Sequence, residues 1–244
     1  MIRVHMFSGP RNISTTMMRS FENRPDTAVV DEPFYASYLA RTGADHPYRD
    51  ETLASQPNDA EGVPRWLAEP GKTFGAPEAT ILFAKHIAYH LADDFPLDFL
   101  LGGRTFLLVR DPRRMVASFA RKFDEVEPIV GSFAAERRIF EFLSRRSRPC
   151  PVVDAADVLA DPGGVLKALC GALDIPYTDK MLAWPAGPRP SDGAWAPHWY
   201  DAVKASTGFN RPVEKSVELS PPLAAIAERC RADYEFLYER RLAA

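Results

Sequence analysis

The segment FSGPRNISTTMMRSF, Phe7 to Phe21, puts an arginine and a cluster of hydroxyls between an apolar run and a helical pattern. A strand feeding a tight loop into a helix exposes unpaired backbone N–H groups at the helix start. The helix dipole adds partial positive charge there, so the loop is suited to an anion. Arg11 supplies a full charge and a planar fork for phosphate or sulfate oxygens. Asn12, Ser14, Thr15 and Thr16 add polar side chains, and the hydroxyls also suit helix capping. The nucleotide-triphosphate loop G-x-x-x-x-G-K-S/T does not fit: Gly9 stands without its glycine and lysine partners. Taken alone, the segment equally describes an ordinary capped helix.

A second stretch changes that balance. In TFLLVRDPRRMVASFARKF, Thr105 to Phe123, a continuous apolar run delivers Arg110 to its carboxyl end. Pro112 suits the first helical position. Ser118 lies eight residues beyond Arg110 on the helix that turns back, so a serine hydroxyl and an arginine fork can share one phosphate. The carboxyl ends of parallel strands are where open α/β sheets bind ligands. The ordinary alternative is a local Arg110–Asp111 ion pair with Ser118 on the surface.

Positioning these groups requires a sheet with helices on both faces. Ile2–Phe7, Val29–Val30, Thr80–Ala84, Thr105–Val109 and Pro151–Val153 read as strands, the fourth apolar enough to be buried on both sides. Helical spacing follows at Ser14–Phe21, Met115–Phe123, Ser132–Arg145, Gly164–Leu173 and Pro222–Arg241. The alternation predicts a three-layer α/β/α sandwich with a mainly parallel sheet, one domain over 1–244. Two Gly/Pro-rich stretches, 42–79 and 184–198, read as long loops of the kind that serve as lids or binding loops.

Composition narrows the classes. Hydrophobic residues make up 46% and charged residues 26%, ordinary globular values, and the formal net charge of −3 gives no basic field for nucleic acid. No run of 18 apolar residues spans a membrane, and MIRVHMF lacks a signal-peptide layout. Cys150, Cys170 and Cys230 fit no metal or disulfide spacing and read as reduced packing residues. A cytoplasmic protein is expected.

The two anchors together resemble the sulfotransferases that use 3′-phosphoadenosine 5′-phosphosulfate (PAPS). Pro10-Arg11-Asn12-Ile13-Ser14-Thr15-Thr16 is similar to their PRSGST or PKSGTT loop, which holds the 5′-phosphosulfate. Arg110-Asp111-Pro112-Arg113 with Ser118 resembles their second motif, whose arginine and serine hold the 3′-phosphate. VVDAADVLADPGGVLKALCGALDIPY resembles a later strand-and-helix segment. The likeness touches residues 6–35, 80–122 and 150–178. It implies a P-loop-like fold, PAPS as donor, the 3′,5′-bisphosphate PAP as product, no metal, and a small-molecule, carbohydrate or lipid acceptor. Asn12-Ile13 stands where the family has a Ser/Gly pair. The eukaryotic G-x-x-G-x-W-K signature is absent, STGFNRP (206–212) being a loose counterpart, as in a divergent bacterial-type branch.

Sulfuryl transfer needs an in-line acceptor, a base for its proton and cations for the leaving oxygen. Glu32, ending the second strand in VVDEPF, is the first candidate base, as in similar bacterial-type members; Asp31 is its rival, since adjacent strand residues face opposite ways. FAKHIAYHL adds Lys85, which in relatives lies near the transferring sulfate, and His86, with a suitable intrinsic pKa. His86 and His90 have a metal-like spacing but no third ligand; His90 is expected to be structural. His5 reads as a sheet residue, and His198 is grouped with Trp195 and Trp199 as possible acceptor-pocket lining. A degenerate P-loop kinase-like enzyme and a non-catalytic anion-binding relative are the competing readings. An aminotransferase lacks a Schiff-base lysine context.

Overall fold

The computed structural model describes residues 1–69, 74–123, 126–210 and 217–243. Its strands are β1 (Ile2–Ser8), β2 (Thr27–Asp31), β3 (Ile81–Ile87), β4 (Arg104–Val109) and β5 (Val152–Asp154). They form one sheet in the order β2-β3-β1-β4-β5, with every pairing parallel. The helices are α1 (Ser14–Glu22), α2 (Tyr35–Thr42), α3 (Arg49–Ser55), α4 (Gly62–Ala68), α5 (Pro112–Phe119), α6 (Pro128–Ser144), α7 (Ala155–Ala160), α8 (Pro162–Ala172), α9 (Ala196–Trp199), α10 (Asp201–Lys204) and α11 (Pro221–Tyr238).

The two-residue period of the strands divides the core. Val4 and Met6 of β1, Val29 of β2, Phe83 of β3 and Phe106 of β4 pack against Met17 and Phe21 of α1 and Leu166 of α8. Phe7, Val30, Leu82 and Leu107 face the other way, onto Ile139 and Leu143 of α6 and Leu237 of α11. This is the expected three-layer sandwich. None of the described helices is long and apolar enough to cross a membrane.

Two expectations about the connections change. Residues 42–79 carry α3 and α4, and 184–198 carries α9. These helices are four to seven residues long, too short to print a 3.6-residue period. The third strand also runs on to Ile87. Lys85 and His86 therefore sit inside β3 and not after it, and their side chains leave opposite faces of the sheet. His86 and His90 are not on one helix, since His90 ends a 3-10 turn over Ala88–His90, and their helical metal spacing has no counterpart.

The three cysteines are free thiols. Cys150 is pushed up to about 12 by burial and by nearby Glu136. Glu136 of α6 is fully buried, and neither carboxyl oxygen has a partner among the described residues. Burial holds it well above the usual carboxylate range, so it folds protonated. The unfolded chain releases that proton above the ordinary glutamate value, which favours unfolding as pH rises. Glu136→Met is accordingly expected to be more stable than the parent at pH 8. Its advantage should widen by about 1.4 kcal/mol per pH unit above that ordinary value, up to the folded-state pKa. Urea denaturation at pH 5 and pH 8 measures the difference.

Candidate active site

A cavity of about 550 Å³ opens at the carboxyl edge of the sheet. The strand order fixes what lies along that edge. Asp31 ends β2 and Glu32 follows it, Lys85 is on β3, the 10–16 loop leaves β1, and Arg110 leaves β4. From β2 to β4 is three strand spacings, about 14 Å. The acid group and the 10–16 loop thus line one crevice.

At the anion end, Arg11 and Ile13 both adopt left-handed backbone, with φ of 59° and 48°. For a β-branched residue this is unusual, costing about 1–2 kcal/mol. Ile13 takes the conformation that glycine would supply there, and its side chain packs against the core, which offsets the strain. Asn12 is buried and donates through Nδ2 to the Leu108 carbonyl, so its amide N–H ties the loop to β4. The expected capping of α1 by Ser14–Thr16 is absent: Ile13 is the N-cap, and no side chain caps the first turn. Ser14, Thr15 and Thr16 all line the cavity.

The two anchors meet directly. Arg11 Nε donates to Ser118 Oγ at 3.2 Å, and Arg110 Nη1 donates to the Arg11 carbonyl at 2.6 Å. Neither guanidinium makes an ion pair with a carboxylate among the described residues. Burial, with Arg121 beside Arg11 and Arg114 beside Arg110, lowers the pKa of each from its ordinary value. Asp111 is not Arg110's partner; its side chain accepts from the Arg114 N–H and caps α5. Two part-exposed arginines without a carboxylate partner among the described residues, 99 residues apart in sequence, thus meet at one end of the cavity.

At the acid end, Lys85 is 1% exposed. Its Nζ donates to Asp31 Oδ1 (2.9 Å), Glu32 Oε1 (2.6 Å) and the Tyr200 hydroxyl (2.8 Å). Consecutive carboxylates on an extended strand would diverge; φ of 42° at Glu32 turns the chain so that both reach Lys85. Asp31 Oδ2 accepts from Tyr200 (2.6 Å) and from the Gly193 N–H (3.2 Å), so both of its oxygens are engaged. Glu32 Oε2 has no hydrogen bond among the described residues and lies 3.9 Å from His90 Nδ1. Burial raises Glu32 to about 7 against the opposing pull of Lys85, with Asp31 adding to the rise.

Several expected residues are placed differently. His86 does not line the cavity: it lies on the opposite face, stacked on Phe7 at 4.3 Å and bonded to His5 at 3.0 Å. Burial holds its pKa well below the ordinary value. It is removed from the base candidates because the sheet separates it from the anion loop. Lys85 has all three N–H donors committed, which leaves none for a sulfate oxygen. His198 is exposed and edges onto Trp199, whereas Trp195 and Trp199 line the cavity. His90, expected to be structural, lines it too. Of the 206–212 stretch, Ser206, Gly208 and Asn210 line the cavity, and Arg211 and Pro212 lie outside the described residues. Tyr200, the third partner of Lys85, sits 115 residues away in sequence with no motif around it.

The chain belongs to the sulfotransferase domain family, whose profile matches residues 2–222. Two Arabidopsis thaliana proteins, branched-chain-amino-acid aminotransferase-like proteins 1 and 2, are 38% and 37% identical to it over 211 and 213 residues. Each match covers 86% of this chain but only 37% and 36% of those proteins, so the chain spans little more than a third of their length. Among solved structures, the sulfotransferase domain from the curacin biosynthetic pathway matches with a TM-score of 0.58 at 14% identity, covering 95% of this chain and 96% of that one. Mouse sulfotransferase SULT7A1 complexed with PAP matches at 0.55 and 11%, covering 98% and 88%. The Alicyclobacillus acidocaldarius sulfotransferase matches at 0.54 and 12%, covering 99% and 97%. These confirm the P-loop-like α/β fold.

Proposed function

We propose that this protein transfers a sulfuryl group from PAPS to a hydroxyl, with Glu32 as the base that takes the acceptor's proton. The observation that carries this reading is the pair of unpaired arginines, joined through Ser118 and the Arg11 carbonyl, in the same cavity as an acid raised to about 7. The uncapped first turn of α1, with Arg11, Ser14, Thr15 and Thr16, suits the 5′-phosphosulfate; Arg110 and Ser118 suit the 3′-phosphate. The donor brings the sulfuryl group and a bisphosphate leaving group. Asn12 holds the loop, Arg11 offsets negative charge developing on the bridging oxygen, and Glu32 Oε2 receives the proton. Between the carboxylates, Glu32 is favoured over Asp31 because it alone has an oxygen without a hydrogen bond. Lys85 holds both in place.

The names of the plant relatives do not transfer to this chain as an activity. The buried Lys85 is held as an ammonium by two carboxylates, the opposite of the neutral amine that a Schiff base needs.

Thermal stabilisation by 3′,5′-adenosine bisphosphate, adenosine 5′-phosphate and ATP with Mg²⁺ tests the reading. A ligand at 100 times its Kd stabilises by about 2.7 kcal/mol. The bisphosphate is expected to act selectively. Arg110→Ala should weaken it about 10- to 150-fold, the worth of a charged hydrogen bond. Preference for ATP with Mg²⁺ would favour a kinase-like enzyme instead.

A further inference from the structure

We propose that the acceptor is an uncharged aromatic alcohol, a phenol, whose hydroxyl is held between Glu32 Oε2 and His90 Nδ1. This rests on the sulfuryl-transfer reading and adds the acceptor class and a role for His90. The two atoms stand 3.9 Å apart, too far for a hydrogen bond to each other. Both are within reach of one oxygen placed between them. His90 is 3% exposed, yet its Nδ1 has no partner among the described residues, and the ring lines the cavity. Burial, then His46, Lys85 and Arg41, hold it well below its ordinary pKa, so the ring is neutral. A hydroxyl satisfies both groups at once, donating to the carboxylate and accepting from Nδ1–H.

The walls around that position select the rest of the molecule. Tyr35 stacks parallel to His90 at 4.6 Å, and Tyr89 meets it edge-on at 4.7 Å. Phe123 and Trp199 stack on each other at 5.0 Å and also line the cavity. Flat apolar surfaces of this kind suit a planar ring. The polar atoms of three lining residues are already engaged. The Tyr35 hydroxyl bonds His46 Nδ1 at 2.8 Å, Trp195 Nε1 donates to Tyr200, and Tyr200 serves Lys85 and Asp31. A sugar would turn several hydroxyls onto these ring faces, which offer no matching partner across their flat surfaces.

The step balances without a redox change. The acceptor oxygen forms a bond to sulfur as the sulfur–oxygen bond to the 5′-phosphate breaks. The bonding pair leaves with the bisphosphate, and the acceptor's proton goes to Glu32 Oε2.

The test uses purified protein, PAPS and four acceptors: 2-naphthol, 4-methylphenol, glucose and 1-butanol, with bisphosphate release as the readout. The phenols are expected to turn over at least about 10-fold faster than glucose or butanol. His90→Phe keeps a flat ring between the tyrosines but removes Nδ1. It should cut kcat for 2-naphthol about 10- to 100-fold while leaving bisphosphate stabilisation intact, and His90→Asn, which returns a side-chain N–H, should recover part of the loss. Trp199→Ala should raise the KM for 2-naphthol more than it lowers kcat. Faster turnover of glucose or butanol, or full phenol activity in His90→Phe, overturns this proposal while the sulfuryl-transfer reading stands. Absence of bisphosphate binding by the parent protein overturns both. The acceptor panel needs no variant, so a misfolded His90 substitution still leaves a decision.

Discussion

Glu32→Gln is expected to lower turnover by about 10²- to 10⁴-fold, the usual worth of a positioned base, with bisphosphate stabilisation unchanged. Glutamine keeps an oxygen for Lys85, so the bond now 2.6 Å long has a replacement, while the carboxylate proposed to take the proton is gone. The parent's pH profile supplies an independent reading. With Glu32 raised to about 7 by burial, the fraction of carboxylate, and hence kcat/KM, should climb as pH rises through about 7 and level off above it. That rising limb should vanish from the residual activity of Glu32→Gln. Asp31→Asn instead leaves one acceptor oxygen where there were two, so an NH2 meets either Lys85 or the Tyr200 hydroxyl and Gly193 N–H, and the change should cost stability first and turnover second. If Asp31→Asn abolished turnover at unchanged stability and Glu32→Gln did not, the assignment of the base would be reversed.

The sheet and the anion loop were legible because each left a local mark. Five apolar runs gave the five strands. The Arg110-to-Ser118 spacing and the hydroxyl cluster after β1 gave two anchors, which the structure brings into contact through Arg11. What stayed hidden had no local mark. β3 is buried on both faces over its whole length, so apolar alternation could not say which of Lys85 and His86 faces the crevice. The register settles it, pairing Asp31 of β2 with Lys85. The left-handed turn at Glu32, which brings two adjacent carboxylates to one ammonium, sits on a residue type that does not advertise it. Tyr200 reaches Lys85 only because the chain returns to the crevice beyond α9. The unpaired Nδ1 of His90 was hidden because a lone histidine in an apolar stretch gives no sign of one.

Lys85→Met is the substitution with the largest expected effect on stability, and it also decides how Lys85 acts. It leaves Asp31 and Glu32 buried without their counter-charge, a loss of about 3–5 kcal/mol. In a domain of this size that lowers Tm by roughly 6–20 °C. Adding Asp31→Asn to Lys85→Met should recover part of it, since one of the stranded charges is then removed. The kinetic consequence separates two roles. If Lys85 touched the transferring group, its loss would lower the rate equally at every pH. The structure instead commits its three donors to Asp31, Glu32 and Tyr200, and Lys85 is the main influence opposing the rise in Glu32's pKa. Without it Glu32 moves further up and stays protonated at neutral pH. Lys85→Met, assayed where it remains folded, should therefore show its activity limb displaced to higher pH, approaching the parent rate as pH rises towards 9. A uniform loss with the limb still near 7 would assign Lys85 to the sulfuryl group itself.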